Sequence, residues 1–352
     1  MNQLRVMQVG LGDWGRDWAQ RVIPEVTEID LVGYVDPDPS ALARLRDAVP
    51  KAHVQSYSTL EQGIEASKPE AVLVTATLPG HAPVTRAALA AGLHVLVEKP
   101  FAESIEVAQQ LVELAAVKGK VLMVSQNYRF FPAARKVAQL VSEARLGKLH
   151  QVSIDFRRYS PGTVNGRGRH HFEDQPLLVD MSIHHFDLLR LILDGEPERI
   201  YCETWNPDWS AFSGPSVAVS SINFGGEIVV SYRGSWVSTG PITPWSGEWR
   251  MDFQHGHIFW TSRDDDGARR DRVVIHKPDH KPRVIRLPVL SQTDRAGTLA
   301  EFARAIHESR EPECSGRDNL GTLALVAAAV ESAKRRQPID ISSARVRAQL
   351  TI

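Results

Sequence analysis

Short apolar runs and amphipathic stretches alternate through the first third of the chain. Residues 4–9, 29–35, 53–57, 71–76, 94–97 and 121–125 read as strands, several of them apolar on both faces as in a buried parallel sheet. Between them, 16–23, 39–48, 60–67, 82–91 and 104–118 read as helices, with Pro24 and Gly92 as stops. Repeated strand–helix units of this length predict a doubly wound α/β sheet of the Rossmann type.

From Leu149 the texture changes to alternation with a period of two. Strands are expected at 151–157, 199–204, 216–224, 227–237, 248–254 and 272–276, with Gly225-Gly226 as a hairpin turn. Helices are expected at 133–144, 295–309 and 319–335. The predicted organisation is a dinucleotide-binding domain over 1–125, an α+β domain on a large, predominantly antiparallel sheet over 126–341, and a polar tail over 342–352. The stretches 236–245 and 262–270 read as surface loops, and Asp264-Asp265-Asp266 as a solvated turn.

A length of 352 residues suits two domains. Hydrophobic residues make up 43% and charged ones 24%, with a net charge of −1. That balance gives no support for a nucleic-acid or membrane-surface partner. Cys202 and Cys314 form neither a metal-ligand spacing nor a disulfide framework, which points to a reducing, cytoplasmic setting. No apolar run approaches the ~18–20 residues that span a bilayer, and residues 1–9 lack a signal-type segment.

The first strand runs directly into Gly10-Leu11-Gly12-Asp13-Trp14-Gly15 and then a helix, which is the setting a dinucleotide fingerprint requires. The first glycine permits the tight turn, the second lets a pyrophosphate approach the backbone, and the third lets helix and strand pack closely. The second strand ends on Asp36, 21 residues past Gly15. A carboxylate there can accept the ribose hydroxyls and repels a 2′-phosphate, favouring NAD over NADP even with Arg44 and Arg46 nearby.

The strand at 94–97 leads into Glu98-Lys99-Pro100. Proline has no N–H to continue the ladder, so Glu98 and Lys99 close the strand at the carboxyl edge, where ligands bind in open α/β sheets. Lys99 is a candidate proton carrier or charge clamp; the alternative is a surface charge pair. In the second domain, Asp180 and His184 would share a helical face with Asp187 extending it, a pairing suited to proton transfer near neutral pH. The alternative there is an amphipathic helix with Met181, Ile183 and Phe186 as core. A metal set drawn from His170, His171, Glu173, Asp174, His184 and His185 lacks a closed-site spacing, so no metal is expected.

Together the chain resembles the glucose–fructose oxidoreductase/inositol dehydrogenase (Gfo/Idh/MocA) family. The resemblance rests on the glycine loop, Ala91-Gly92-Leu93-His94-Val95-Leu96-Val97-Glu98-Lys99-Pro100, Asn127-Tyr128-Arg129-Phe130, the Asp180-x-x-x-His184-x-x-Asp187 spacing and the closing Gln337-Pro338-Ile339. It implies Lys99 and His184 as the catalytic pair with Asp180 tuning or relaying. His184 would take the hydroxyl proton while Lys99 steadies the developing alkoxide. Gly10 to Gly15, Asp36, Glu98 and Lys99 would line the cofactor. Lys99, Arg129, Arg157, Asp180 and His184 would meet the substrate, the two arginines by position only. Two places depart from the family pattern: Glu173-Asp174-Gln175-Pro176-Leu177 stands where a glycine run precedes the aspartate, and Thr77-Leu78-Pro79-Gly80-His81 follows the fourth strand. Neither removes a catalytic group.

The expected activity is an NAD-dependent oxidation of a secondary alcohol in a sugar, sugar acid or cyclitol, by a homodimer or homotetramer. Two other readings carry different consequences. In one, tightly held NAD supports redox-assisted elimination of a glycosidic bond. In the other, NAD and a ligand serve a non-catalytic regulator, which would not need Lys99, Asp180 and His184.

Overall fold

The structure, a computed structural model, describes residues 3–49, 54–162, 169–225 and 227–341. The expected tail at 342–352, the start of the third strand at His53 and Gly226 of the hairpin turn lie outside the described residues. By its contacts the chain divides into two units, residues 1–127 with 292–320, and 128–291 with 321–352. The cut after Asn127 falls two residues beyond the expected boundary at 125, and the segment 292–320 joins the first unit although it follows the second in sequence.

The first unit carries six parallel strands, β1 (Leu4–Val9), β2 (Ile29–Val35), β3 (Ser56–Tyr57), β4 (Ala71–Val74), β5 (His94–Val97) and β6 (Leu122–Val124), in the order β3-β2-β1-β4-β5-β6. The strand order reverses between β1 and β4, the crevice where doubly wound sheets take their ligands. β4 is buried throughout, as is β5 after His94, which explains their unbroken apolar sequence.

The helices of this unit are α1 (Asp13–Asp17), α2 (Pro39–Ala48), α3 (Leu60–Ser67), α4 (Leu78–Ala90), α5 (Ile105–Lys118) and, from the later segment, α8 (Asp294–His307). Side-chain caps begin three of them: Asp38 accepts from Ser40 N, Thr59 from Gln62 N and Ser104 from Val107 N. Two expectations change. The helix read as 16–23 starts at Asp13 and continues after α1 as a π-type turn, Trp18–Val22, and a 3-10 turn, Ile23–Glu25. The helix read as 82–91 starts at Leu78, because a proline in the first turn removes only an N–H that has no helical partner.

The second unit is built on a nine-stranded sheet comprising β7 (Leu149–Arg157), β8 (Pro197–Trp205), β9 (Val217–Phe224), β10 (Ile228–Ser235), β11 (Glu248–Phe253), β12 (Gly256–Thr261), β13 (Arg272–His276), β14 (Arg283–Val284) and β15 (Ile339–Asp340). Among the described residues of this sheet only β7 and β10 pair in parallel; the remaining pairs are antiparallel. β12 was not expected. It follows β11 through Gln254-His255, a two-residue connection without the Asn-Gly type of turn signal. Its helices are α6 (Pro132–Ser142) and α7 (Ile183–Leu193), with most of α9 (Gly316–Arg335). β7 buries Val152, Ile154 and Phe156, while Ser153, Asp155 and Arg157 lie on the other face. Among the described residues no helix is long and apolar enough to cross a membrane.

Candidate active site

In the first unit the glycine loop, Asp36, and Glu98 with Lys99 follow the carboxyl ends of β1, β2 and β5. Gly10 follows β1 with φ +95°, and a Cβ there would stand 2.3 Å from the Ala76 nitrogen. At Gly15 a Cβ would lie 2.0 Å from the Gly10 carbonyl oxygen, so only glycine lets the helix approach this closely. Thr75, after β4, donates its hydroxyl to Gly10 O at 2.6 Å, and Gln8 Nε2 donates to Gly15 O at 2.7 Å. These bonds fix the loop from below. Among the described residues nothing stands within 4 Å of where a Gly12 Cβ would be. An open backbone at a helix N-terminus fits a dinucleotide's pyrophosphate.

Asp36, after β2, is buried; Oδ2 accepts from Leu11 N at 2.6 Å and Oδ1 from Asp38 N at 2.9 Å. Two backbone bonds leave further lone pairs on the carboxylate for ribose hydroxyls. Asp13 extends into solvent beside Arg16, and Trp14 is 46% exposed.

Glu98 and Lys99 close β5 on the same carboxyl edge of the sheet, as the sequence predicts. Glu98 is placed differently from the expectation of a cofactor-lining acid. It is buried, and Oε1 accepts from the Trp18 indole N–H at 2.8 Å, so it braces the turn from within. His81 braces the other side, with Nδ1 2.6 Å from Pro100 O and Nε2 3.0 Å from Ala76 O. Burial holds the His81 imidazole below its ordinary pKa, with Lys99 adding and the Glu98 charge and carbonyl bonds opposing. The sequence places His81 only in a divergent loop; its role depends on α4 starting early enough to turn it under Pro100.

In the second unit Asp180 falls in a π-type turn, Leu177–Ser182, and His184 is the second residue of α7. The wider turn replaces the continuous α-helical face expected from 180 to 187. The Asp180 charge also reaches His170: burial and His171 lower the His170 pKa, and Asp180 opposes them. His184 is buried and stacks on Tyr128 with ring centroids 4.1 Å apart and planes 2° apart. Arg263 lies with its guanidinium carbon 4.5 Å from the Tyr128 ring centroid and donates through Nη1 to Tyr128 Oη at 2.8 Å. Met181, Ile183 and Phe186 are core, as expected.

Asp187 turns away from proton transfer. Its carboxylate takes two bonds from Arg129, Nε to Oδ2 and Nη2 to Oδ1, both at 2.6 Å. Thr322 donates a third at 3.0 Å. Arg129, 4% exposed, is held in this buried pair, whereas its position in the sequence suggested a substrate contact. Arg157 is also displaced from that role. Phe156 faces His185, with ring centroids 5.2 Å apart, so its neighbour Arg157 lies on the opposite face of the sheet, bonded to Glu248 Oε2 at 3.0 Å and Pro241 O at 3.1 Å.

The stretches read as surface loops contribute instead. Trp245 O accepts from His185 Nε2 at 2.9 Å, and Trp236 is 7% exposed. Arg158 lies 4.2 Å from the Trp245 ring centroid and bonds Asp265 at 3.0 and 3.1 Å, so the acidic run is an exposed turn, as expected, tethered at Asp265. No periodicity marks these residues; only the tertiary fold brings them beside α7.

Comparison with known proteins agrees with both units. Residues 4–126 match the model of the GFO/IDH/MocA oxidoreductase family with its NAD-binding Rossmann fold, and residues 134–258 match the GFO/IDH/MocA C-terminal domain. A 1,5-anhydro-D-fructose reductase of Ensifer adhaerens is 22% identical over 290 residues, covering 82% of this chain and 85% of that one. An inositol 2-dehydrogenase of Corynebacterium glutamicum is 29% identical over 187 residues, 53% of each chain. Among solved structures, an oxidoreductase from Agrobacterium radiobacter in complex with NAD+, L-tartaric acid and magnesium has the same fold, with a TM-score of 0.83 at 20% identity over 97% of this chain and 99% of that one.

Proposed function

Because the chain belongs to the GFO/IDH/MocA family of NAD-binding oxidoreductases, we propose that it is a dehydrogenase for a secondary alcohol of a sugar, sugar acid or cyclitol. The observation that carries this reading is the position of Lys99 at the carboxyl end of β5, on the sheet edge that also presents the glycine loop and Asp36. The similarity to a sugar reductase and an inositol dehydrogenase supports the substrate class.

Bound NAD supplies the hydride acceptor. The chain's own residues manage the oxygen. His184 takes the hydroxyl proton, its ring plane held by the Tyr128 stack. Lys99 steadies the negative charge growing on that oxygen, on a turn braced by the Trp18–Glu98 and His81–Pro100 contacts. Asp180 opposes the lowering of the His170 pKa by burial and His171, and its part is to tune or relay. The proposed working form is a homodimer or homotetramer, on the breadth of the nine-stranded sheet.

The test is nicotinamide reduction by the purified protein with NAD and with NADP across sugars, sugar acids and inositols. Repeated turnover with added NAD on one of these classes is expected. Product formation without net NADH, from NAD retained by the protein, would replace the dehydrogenase with an internally recycled cofactor.

A further inference from the structure

The segment 292–320, outside both matched stretches, is fastened to the glycine-loop helix. Gln292 Nε2 donates to Glu28 Oε2 at 3.2 Å, and α8 then begins with Asp294 and Arg295. Arg295 Nη2 bonds Asp17 at the end of α1. Its guanidinium carbon lies 4.2 Å from the ring centroid of Trp14, inside the Gly-x-Gly-x-x-Gly loop, and 5.4 Å from that of Trp18. The side chain is 11% exposed, and its Nε and Nη1 are buried without a hydrogen-bond partner.

A buried guanidinium with two unspent donors is costly to keep. Asp17 does not balance the charge here, because it is shared with Arg21 at 3.3 Å. With Asp13 paired to Arg16, the start of the glycine-loop helix holds three arginines against two aspartates. That surplus positive charge lies where the loop backbone is shaped for a diphosphate. We infer that Arg295 is a positioning residue for the dinucleotide: through Trp14 and Asp17 it sets the glycine loop, and it offsets the Asp17 charge beside the cofactor's phosphates.

The experiment measures NADH affinity by quenching of tryptophan emission, with the thermal unfolding midpoint recorded for each variant. Arg295→Ala is expected to weaken NADH binding about ten-fold, a loss on the order of one charged hydrogen bond, with the midpoint lowered by only a few degrees. Arg295→Lys, which keeps the charge, should recover part of the affinity. Adding Asp17→Asn to Arg295→Ala should recover another part by removing the exposed acid. If Arg295→Ala does not fold, Arg295→Gln carries the same expectation. NADH affinity within two-fold of the parent in a folded Arg295 variant would overturn the inference. So would a lowered midpoint with neither Arg295→Lys nor Asp17→Asn restoring affinity, since that outcome marks Arg295 as packing alone.

Discussion

Arg129 and Asp187 face each other as a buried two-pronged ion pair, Nε to Oδ2 and Nη2 to Oδ1, each at 2.6 Å. Arg129 follows Tyr128, and Asp187 lies one helical turn after His184 on α7, so the pair pins the two segments whose rings stack at 4.1 Å. Breaking such a pair strands a charge in the interior at a cost of about 3–5 kcal/mol. Asp187→Asn should therefore lower stability by that order in urea unfolding. In variant protein that still folds, kcat should fall more than KM rises, because the His184 ring loses its registration.

Arg157 provides the converse case. It lies on the face of β7 away from His185, among Asp155, Glu248 and Arg233. Arg157→Ala should leave kcat and KM within about two-fold of the parent in steady-state kinetics, an interaction energy no larger than that of an exposed ion pair.

His185 makes acid stability measurable. Burial lowers its pKa to about 4, with the carbonyl of Trp245 opposing the shift. An unfolded histidine titrates near 6.5, so below that pH the unfolded chain binds a proton that the native chain refuses. The contribution is present above pH 6.5 and is lost as pH falls towards 4, reaching about 3 kcal/mol. Unfolding followed by denaturant at a series of pH values should show this fall. His185→Gln, which keeps a donor and an acceptor without titrating, should make the slope shallower.

Asp36 tests cofactor choice. Its carboxylate accepts from Leu11 N at 2.6 Å and closes the second strand, where a dinucleotide fold takes its ribose. Asp36→Ala should weaken NAD binding about 10- to 100-fold, the range of a charged hydrogen bond. It should also narrow the preference for NAD over NADP, as read by titration with both cofactors.

Much of the first unit was legible because buried parallel strands are apolar on both faces and the glycine loop needs glycine for steric reasons at Gly10 and Gly15. The misread helix starts at Asp13 and Leu78 reflect local tolerance: a first helical turn accepts proline and polar residues that punctuate chains elsewhere. In the second unit, alternation located most strands, yet missed β12, whose connection has no turn signature. The sequence singles out Lys99 and His184 but not the residues that support them. Trp18 against Glu98, His81 against Pro100 and Arg263 against Tyr128 are all contacts between residues far apart in the chain, and no local period encodes them. For Arg129 and Arg157 the same holds, since charge and position do not reveal which face a side chain takes or which acid already holds it.

The most direct test of the account is the rate of nicotinamide reduction by His184→Ala and Lys99→Ala on the best substrate of the panel, with NADH affinity measured on the same samples. The account predicts that each substitution lowers kcat by about 100-fold or more, the usual reach of general acid–base assistance, while NADH affinity after His184→Ala stays within a few-fold of the parent. Turnover near the parental rate in either variant, with the fold intact, would contradict the assignment of Lys99 and His184 as the catalytic pair.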